Sequence, residues 1–319
     1  MTVSKPAEQN GQQQLSPLTP LPPSQAWDGP GDGQGLFQRY STEEDQRRTN
    51  VHYEQPVEFF TTLTGGAWNT YSANLWHPGI ETDTQSQEAK LDLLAEHMKL
   101  QPGMRVMDVG CGWGGPLAYV CKTYGVEGIG LTLSPKQKAF AEQRMASLGL
   151  ADRVRIVESH WADFEGVEPG SVDAIFTDEV IVHFNDLGGF FEKAHGWLKA
   201  GGRMVNKELH FVHSSYKTLS RAATLIHEIY GLTGNYRMLS DELQLLDEAG
   251  FKQAVYTIPQ WHYTRTAERW VQNMDDNRAR LEEVVGAEYF RRFKTYVKIV
   301  RKMTVSESMT LDVVVGTKI

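Results

Sequence analysis

The sequence predicts an α/β fold, a parallel sheet with helices on both faces, on three observations. Short apolar runs alternate with helical patterns between residues 105 and 208. Four glycines fall in the six positions from Gly110 to Gly115, between the first such run and a helix. The composition is that of a folded chain: 319 residues, 40% hydrophobic and 23% charged, which excludes a collagen-like or wholly disordered polymer. That length buries a sizeable core in one large domain or two small ones.

Taken in order, residues 1–36 are rich in Gln, Pro, Ser and Gly and read as a disordered tail, either a solvated extension or a segment that orders on binding. Residues 37–86 read as an N-terminal helical cover, with VHYEQPVEFFTTL (51–63) apolar enough to pack. Residues 87–319 form the main domain. Leu91, Leu94, Met98 and Leu100 predict an amphipathic helix over 87–100. Strands are expected over 105–109, 126–131, 154–158, 172–177 and 203–208, with helices over 116–124, 135–148 and 186–198 between them. Ser134 and Pro135 are a cap and first-turn residue for the second of these helices. A helical insertion is expected at about 209–240, with a helix over 214–230. A helix over 240–249, capped by Ser240 and stopped by Gly250, follows. A long helical region over 264–301 precedes a β-rich run over 309–315 that returns to the sheet edge. No internal repeat is present.

The net charge of −8 offers no broad attraction to nucleic acid or to an anionic membrane. No stretch approaches the ~20 apolar residues of a membrane helix, so no stable membrane insertion is expected. The N-terminus has no apolar leader core. Cys111 and Cys121 are the only cysteines, too few for a disulfide framework or a four-thiolate zinc site, which fits a cytoplasmic protein. A homo-oligomer is left open.

The run MDVGCGWGG (107–115) lies where open α/β sheets bind ligands, at the carboxyl end of a strand. It lacks the Gly-Lys-Ser/Thr of a phosphate loop, and the second strand ends in Thr132-Leu133-Ser134 without the acid of a dinucleotide site. It suits a ligand with an amino-acid end, with Asp108 nearby to hold charge or orient the turn.

From Tyr53 onward the chain resembles the S-adenosylmethionine-dependent methyltransferases, and within them the cyclopropane fatty acid and mycolic acid synthases. The resemblance rests on YSANLW (71–76), the helix start from Gln87 to Lys90, LQPGMRVMDVGCGWGG (100–115), GIGLTLSPKQ (128–137), HWADF (160–164), LKAGGRM (198–204) and WHYTRTAERW (261–270). It implies the Rossmann-like, seven-stranded class I methyltransferase fold. It also implies cofactor contacts: Gly110, Gly112 and Gly114 around the methionine, Tyr71 and Ser72 closing over it, Thr132, Leu133 and Gln137 at the ribose, and Trp161 near the adenine. By itself, Trp161 also reads as a core tryptophan.

Cyclopropane synthases hold a bicarbonate as base, using a cysteine after the Tyr-Ser pair, a glutamate, a histidine and a tyrosine. In this chain Ala73, Val182 and Lys207 stand at or near the first three places, and Tyr263 keeps the fourth. Glu179, in TDEVIVHF (177–184), resembles instead the glutamate of sterol and prenyl diphosphate C-methyltransferases. Asp178 and Glu179 also read as ordinary loop carboxylates, and His183 as a packed histidine or a second proton acceptor. All these relatives methylate an alkene, leaving a carbocation that a carboxylate or an aromatic face stabilises.

In the segment 206–237, Lys207, His210, Lys217, Arg221 and Arg237 are interleaved with apolar residues. They read as a site for an anionic head with an apolar tail, or as a solvated amphipathic helix. The expectation is C-methylation of an isoprenoid alkene, farnesyl diphosphate in particular. Glu179, His183 or Tyr263 would deprotonate a cation that can cyclise first, as in sodorifen-type terpenoid biosynthesis. Mg²⁺ can accompany the diphosphate; no protein metal site is expected. The alternatives are modification of an unsaturated fatty acyl lipid, N-methylation of a small amine, and cofactor binding without catalysis.

Overall fold

In β1 (Arg105–Val109), Val106 packs into the apolar cluster on one side of the sheet, and Met107 and Val109 into the cluster on the other. Side chains alternate across a strand, so a strand apolar on both faces must be covered on both. The computed structural model describes residues 42–53, 55–213 and 237–319. The expected tail over 1–36 and helix over 214–230 lie outside the described residues.

The strands β1, β2 (Glu127–Thr132), β3 (Val154–Glu158), β4 (Val172–Asp178), β5 (Leu198–Phe211), β6 (Phe251–Ile258) and β7 (Met309–Lys318) form one sheet in the order β3-β2-β1-β4-β5-β7-β6. The pairings among β1 to β5 are parallel, and β7 runs antiparallel to β5 and β6. This is the seven-stranded α/β sheet with helices of class I methyltransferases. The C-terminal strand was expected at the sheet edge. It lies one place in, because β6, which was not anticipated, forms the edge and leaves most of its side chains from Lys252 to Thr257 at least partly exposed.

The first two described helices are α1 (Thr42–Tyr53) and α2 (Val57–Thr64). α3 (Asp83–Met98), α4 (Gly115–Tyr124) and α5 (Pro135–Ser147) pack Leu91, Leu117 and Ala141 into one cluster. α6 (Leu187–Trp197) and α7 (Leu239–Glu248) pack Phe190, Phe191 and Leu246 into the opposite one. α3 starts before the expected Gln87 because Thr82 and Gln85 form a capping box, each side chain accepting from the other's backbone N–H. Ser134 caps α5 as expected, accepting from Gln137 N at 3.3 Å. Ser240 does not cap α7. It sits inside the first turn, where the Met238 N–H bonds instead to the Asp241 carboxylate at 3.1 Å. The helical region over 264–301 is three helices, α8 (Trp261–Asp276), α9 (Arg278–Val285) and α10 (Ala287–Val305), broken at Asn277 and at Gly286, whose φ of 82° no right-handed helix contains.

A buried polar knot joins β5, β7 and α7. The His210 ring nitrogens lie 2.7 Å from Glu242 Oε2 and 3.0 Å from Asp312 Oδ2. Burial works against the imidazolium, but the two carboxylates outweigh it and push His210 up to about 10. A raised folded-state pKa stabilises fully below the unfolded value of 6.5, and that contribution is lost as pH climbs through about 10. His210→Gln is therefore expected to cost about 3–5 kcal/mol near pH 6 and clearly less near pH 10. Urea unfolding of both proteins at the two pH values checks this; an equal loss at both would refute a charged His210.

Candidate active site

The strand order reverses between β1 and β4, and at such a reversal a crevice opens beyond the carboxyl ends of the strands. A cavity lies there. Asp108 near the end of β1, with Gly110 and Gly112 after it, forms its floor, and Thr132 at the end of β2, with Leu133 and Gln137, one flank. Trp161 lies beyond β3, Asp178 ends β4, and Glu179 and His183 follow it. Tyr71 and Ser72 come in from the segment before α3, and Asn50 and Tyr53 from α1. Every cofactor residue expected from the sequence lines this cavity except Gly114.

The three loop glycines have different tasks. A Cβ on Gly110 would meet Val180 at 2.5 Å, and one on Gly114 would meet Ala141 at 2.8 Å. Both are excluded by the protein's own packing. Gly114 is the cap residue that lets α4 approach α5, and it does not line the cavity. At Gly112, nothing lies within 4 Å of the place a Cβ would take, so there the backbone stands open to a ligand.

The cavity fits a cofactor with an amino-acid head. Asp108 is 2% exposed, and its Oδ2 has no hydrogen-bond partner among the described residues. Burial chiefly, then the charge of Asp178, pushes its carboxyl well above the ordinary carboxylate range. A ligand ammonium would satisfy that oxygen. At the next station Thr132 Oγ1 donates to Gln137 Oε1 at 2.7 Å. From above, the Gln46 and Asn50 amides donate to the Leu133 carbonyl at 3.2 and 3.0 Å, tying α1 over the loop after β2. Trp161 packs its ring against Phe184 and Phe190, with Nε1 buried and lacking a partner among the described residues.

The wall opposite carries a buried, balanced set of charges. Lys90 Nζ donates to Ser72 Oγ and to Asp178 Oδ2, both at 2.6 Å, and Ser72 Oγ donates to the same Oδ2 at 2.6 Å. Lys207 Nζ donates to Asp178 Oδ1 at 2.9 Å and to Glu179 Oε1 at 2.5 Å. Burial alone would raise Asp178, but the ammoniums of Lys207 and Lys90 hold it well below the usual range. Burial lowers Lys90 to about 8, against the pull of Asp178. Asp178 is thereby used up by the protein. Both Asp178 oxygens accept from protein donors, whereas Glu179, which lines the cavity beside it, is held at Oε1, where Ala73 N also donates at 2.7 Å. Its backbone sits at φ +59°, a left-handed conformation that costs a non-glycine residue about 1–2 kcal/mol. Such strain held at a cavity wall points to a functional side chain.

His183 also lines the cavity, its Nε2 3.4 Å from the Tyr53 hydroxyl. Tyr263 does not: it is buried in α8, near Trp270. Three of the residues expected at an anionic head are placed elsewhere. Lys207 lies fully buried behind the carboxylates, and His210 is in the knot described above. Arg237 donates to the carbonyls of Ile181 and Phe184 at 2.9 and 2.5 Å, bracing the turn that carries His183 from behind. Lys217 and Arg221 lie outside the described residues. Among the described residues no group of three or more His, Cys, Asp or Glu is arranged to hold a metal ion.

An aromatic shell backs the cavity. Phe60 packs on Trp113 and Tyr71 at centroid distances of 4.7 and 5.4 Å, and Tyr71 on Trp270 at 5.2 Å. The sequence reading missed the parts of Asn50, Tyr53 and Lys90. For Lys90 a signal existed: it shares a helical stripe with Gln87, Leu91 and Leu94, and a lone ammonium on a buried stripe needs a buried partner.

The sheet, the open glycine turn and the unsatisfied Asp108 oxygen together define a methyltransferase that uses S-adenosylmethionine. More narrowly, the chain belongs to the mycolic acid cyclopropane synthetase family, whose profile its residues 40–313 match. It is 30% identical over 265 residues to the hydroxymycolate synthase MmaA4 of Mycobacterium tuberculosis, covering 78% of this chain and 84% of that protein. The cyclopropane synthase MmaA2 of Mycobacterium tuberculosis superposes with a TM-score of 0.80 at 23% identity, covering 86% of this chain and 98% of that one. The mycolic acid cyclopropane synthase CmaA1, solved with SAH and CTAB, superposes with a TM-score of 0.79 at 25% identity and the same coverage. No described helix is long and apolar enough to cross a membrane.

Proposed function

We propose that the protein methylates a carbon–carbon double bond of an unsaturated lipid chain, and that Glu179 removes the proton that ends the reaction. The observation that carries this reading is the Glu179 carboxylate. It is a fixed protein carboxylate, in a strained backbone, at the wall of a cavity that Tyr53, Tyr71 and Trp113 also line. Asp108 and Gly112 would hold the amino-acid end of S-adenosylmethionine, Thr132, Leu133 and Gln137 the ribose, and Trp161 the adenine. The cofactor supplies an electrophilic methyl group. Tyr53, Tyr71 and Trp113 then offer ring faces to the positive hydrocarbon left on the substrate and exclude water from it. Glu179 accepts a proton from a neighbouring carbon, whose C–H pair closes a new double bond. His183 is a second acceptor within the same cavity.

Acyl lipids are favoured because the relatives are named for mycolates, and because Lys207, His210 and Arg237 are spent on internal contacts and do not line the cavity. An isoprenoid alkene remains the second reading. It is favoured by Ala73 and Val182, which put a methyl and an isopropyl group where a carbonate-holding site would need polar side chains. Two buried thiols suit a reducing compartment, so the cytoplasm is proposed as its location.

The test is to supply methyl-labelled S-adenosylmethionine with unsaturated phospholipids, free unsaturated fatty acids and a series of prenyl diphosphates, and to locate the label by mass spectrometry. Label on a former alkene carbon of an acyl chain is the expected result. Label on a prenyl carbon transfers the mechanism to the second reading, and label on nitrogen or oxygen refutes both.

A further inference from the structure

The buried ammonium of Lys207 has no place in the mechanism so far, yet it makes a short polar contact in the site, 2.5 Å to Glu179 Oε1. Two donors converge on that one oxygen: Lys207 Nζ and the Ala73 backbone N–H, at 2.7 Å. No described residue donates to the other oxygen, Oε2, although Glu179 lines the cavity. Lys207 itself is 0% exposed and does not reach the cavity. Glu179 therefore stands between the ammonium and the substrate. The lysine is held in turn by Asp178 Oδ1, and the Glu179 N–H donates to the Lys207 carbonyl at 2.7 Å, so β4 and β5 lock the pair at both backbone and side chain.

We propose that Lys207 is a positioning residue for the base: with the Ala73 amide it clamps Oε1 of Glu179, leaving Oε2 as the oxygen that takes the proton. The inference rests on the reading of Glu179 as base. The step balances within the site: the substrate C–H bond breaks, its pair becomes the new π bond that quenches the cation, and the proton goes to Oε2. A clamp on one oxygen fixes the carboxylate plane, and a fixed base reaches its proton without the reorganisation a free side chain needs. Asp178 and Lys90 complete a set of two ammoniums and two carboxylates, so the clamp adds no net charge against a substrate cation.

The clamp is, in chemical terms, a carboxylate-binding nook that the protein fills with its own side chain, and this makes it testable. Glu179→Gly removes the carboxylate at a backbone angle that glycine adopts freely. Sodium formate should then enter the nook. The expected result is that Glu179→Gly loses most of its kcat, that formate restores it about tenfold or more in a saturable way, and that formate raises the Tm of this variant but not of the wild type. Adding Lys207→Met should abolish both effects of formate while cofactor binding persists. Lys207→Gln, which keeps a donor without the charge, serves if the methionine variant does not fold. Formate that neither activates nor stabilises Glu179→Gly, or that rescues the double variant equally well, overturns the clamp. Full activity of Glu179→Gly without any additive instead overturns the assignment of Glu179 as base, so the two failures are separable.

Discussion

Glu179→Gln is expected to lower kcat by roughly 10²–10⁴-fold, the usual contribution of a placed general base, and to leave the affinity for S-adenosylmethionine unchanged. Glutamine matches glutamate in size and in its tolerance of the backbone angle, so the cavity keeps its shape. Its amide oxygen can still accept from Ala73 N and Lys207, the two donors on Oε1. The amide nitrogen then takes the place of Oε2 and cannot accept a proton. The substitution also leaves two ammoniums facing one carboxylate, which disfavours a cation in the cavity. Single-turnover kinetics with calorimetric cofactor binding separate these effects. A loss confined to KM would mean that Glu179 binds substrate, and an unchanged product yield would hand the proton to His183.

The fold was legible because its signals are local. An apolar strand, a glycine turn and a capped helix announce themselves within a dozen residues, and β1 to β5 with their helices fall where the alternation predicts. Part of the cavity lining was legible for the same reason: Gly112 lies in the turn after β1, Thr132 ends β2, and Gln137 lies in the first turn of α5. The elements that were missed depend on distant partners. β6 is a mixed polar strand whose one strand neighbour among the described residues is β7, some sixty residues later in the chain. The substrate side failed more instructively. Lys207, His210 and Arg237 read as an exposed basic group because sequence gives charge without direction. In the strand β5, Lys207 and His210 point into separate buried networks, each with its own carboxylates. No spacing rule distinguishes a cation waiting for a ligand from one already paired with an aspartate a hundred residues away.

Gly112→Val should abolish cofactor binding, weakening it by at least about 100-fold, or about 2.8 kcal/mol. Two effects add. The φ of +52° is a genuine outlier for a β-branched residue, so the turn after β1 must shift. The side chain would also project into the space that nothing in the protein fills within 4 Å, on the cavity floor beside Asp108. A destabilised fold could mimic the loss, and Gly149→Val supplies the control. Gly149 has φ +68°, also with nothing within 4 Å, but it lies in the turn between α5 and β3 and does not line the cavity. It should therefore carry a similar backbone penalty and leave the cofactor untouched. If calorimetry shows the two variants losing affinity alike, strain is the cause and the floor of the cavity is not where the amino-acid end binds. If only Gly112→Val loses it, the open face of that one glycine is the methionine cradle, and Asp108 beside it is the group that reads the ammonium.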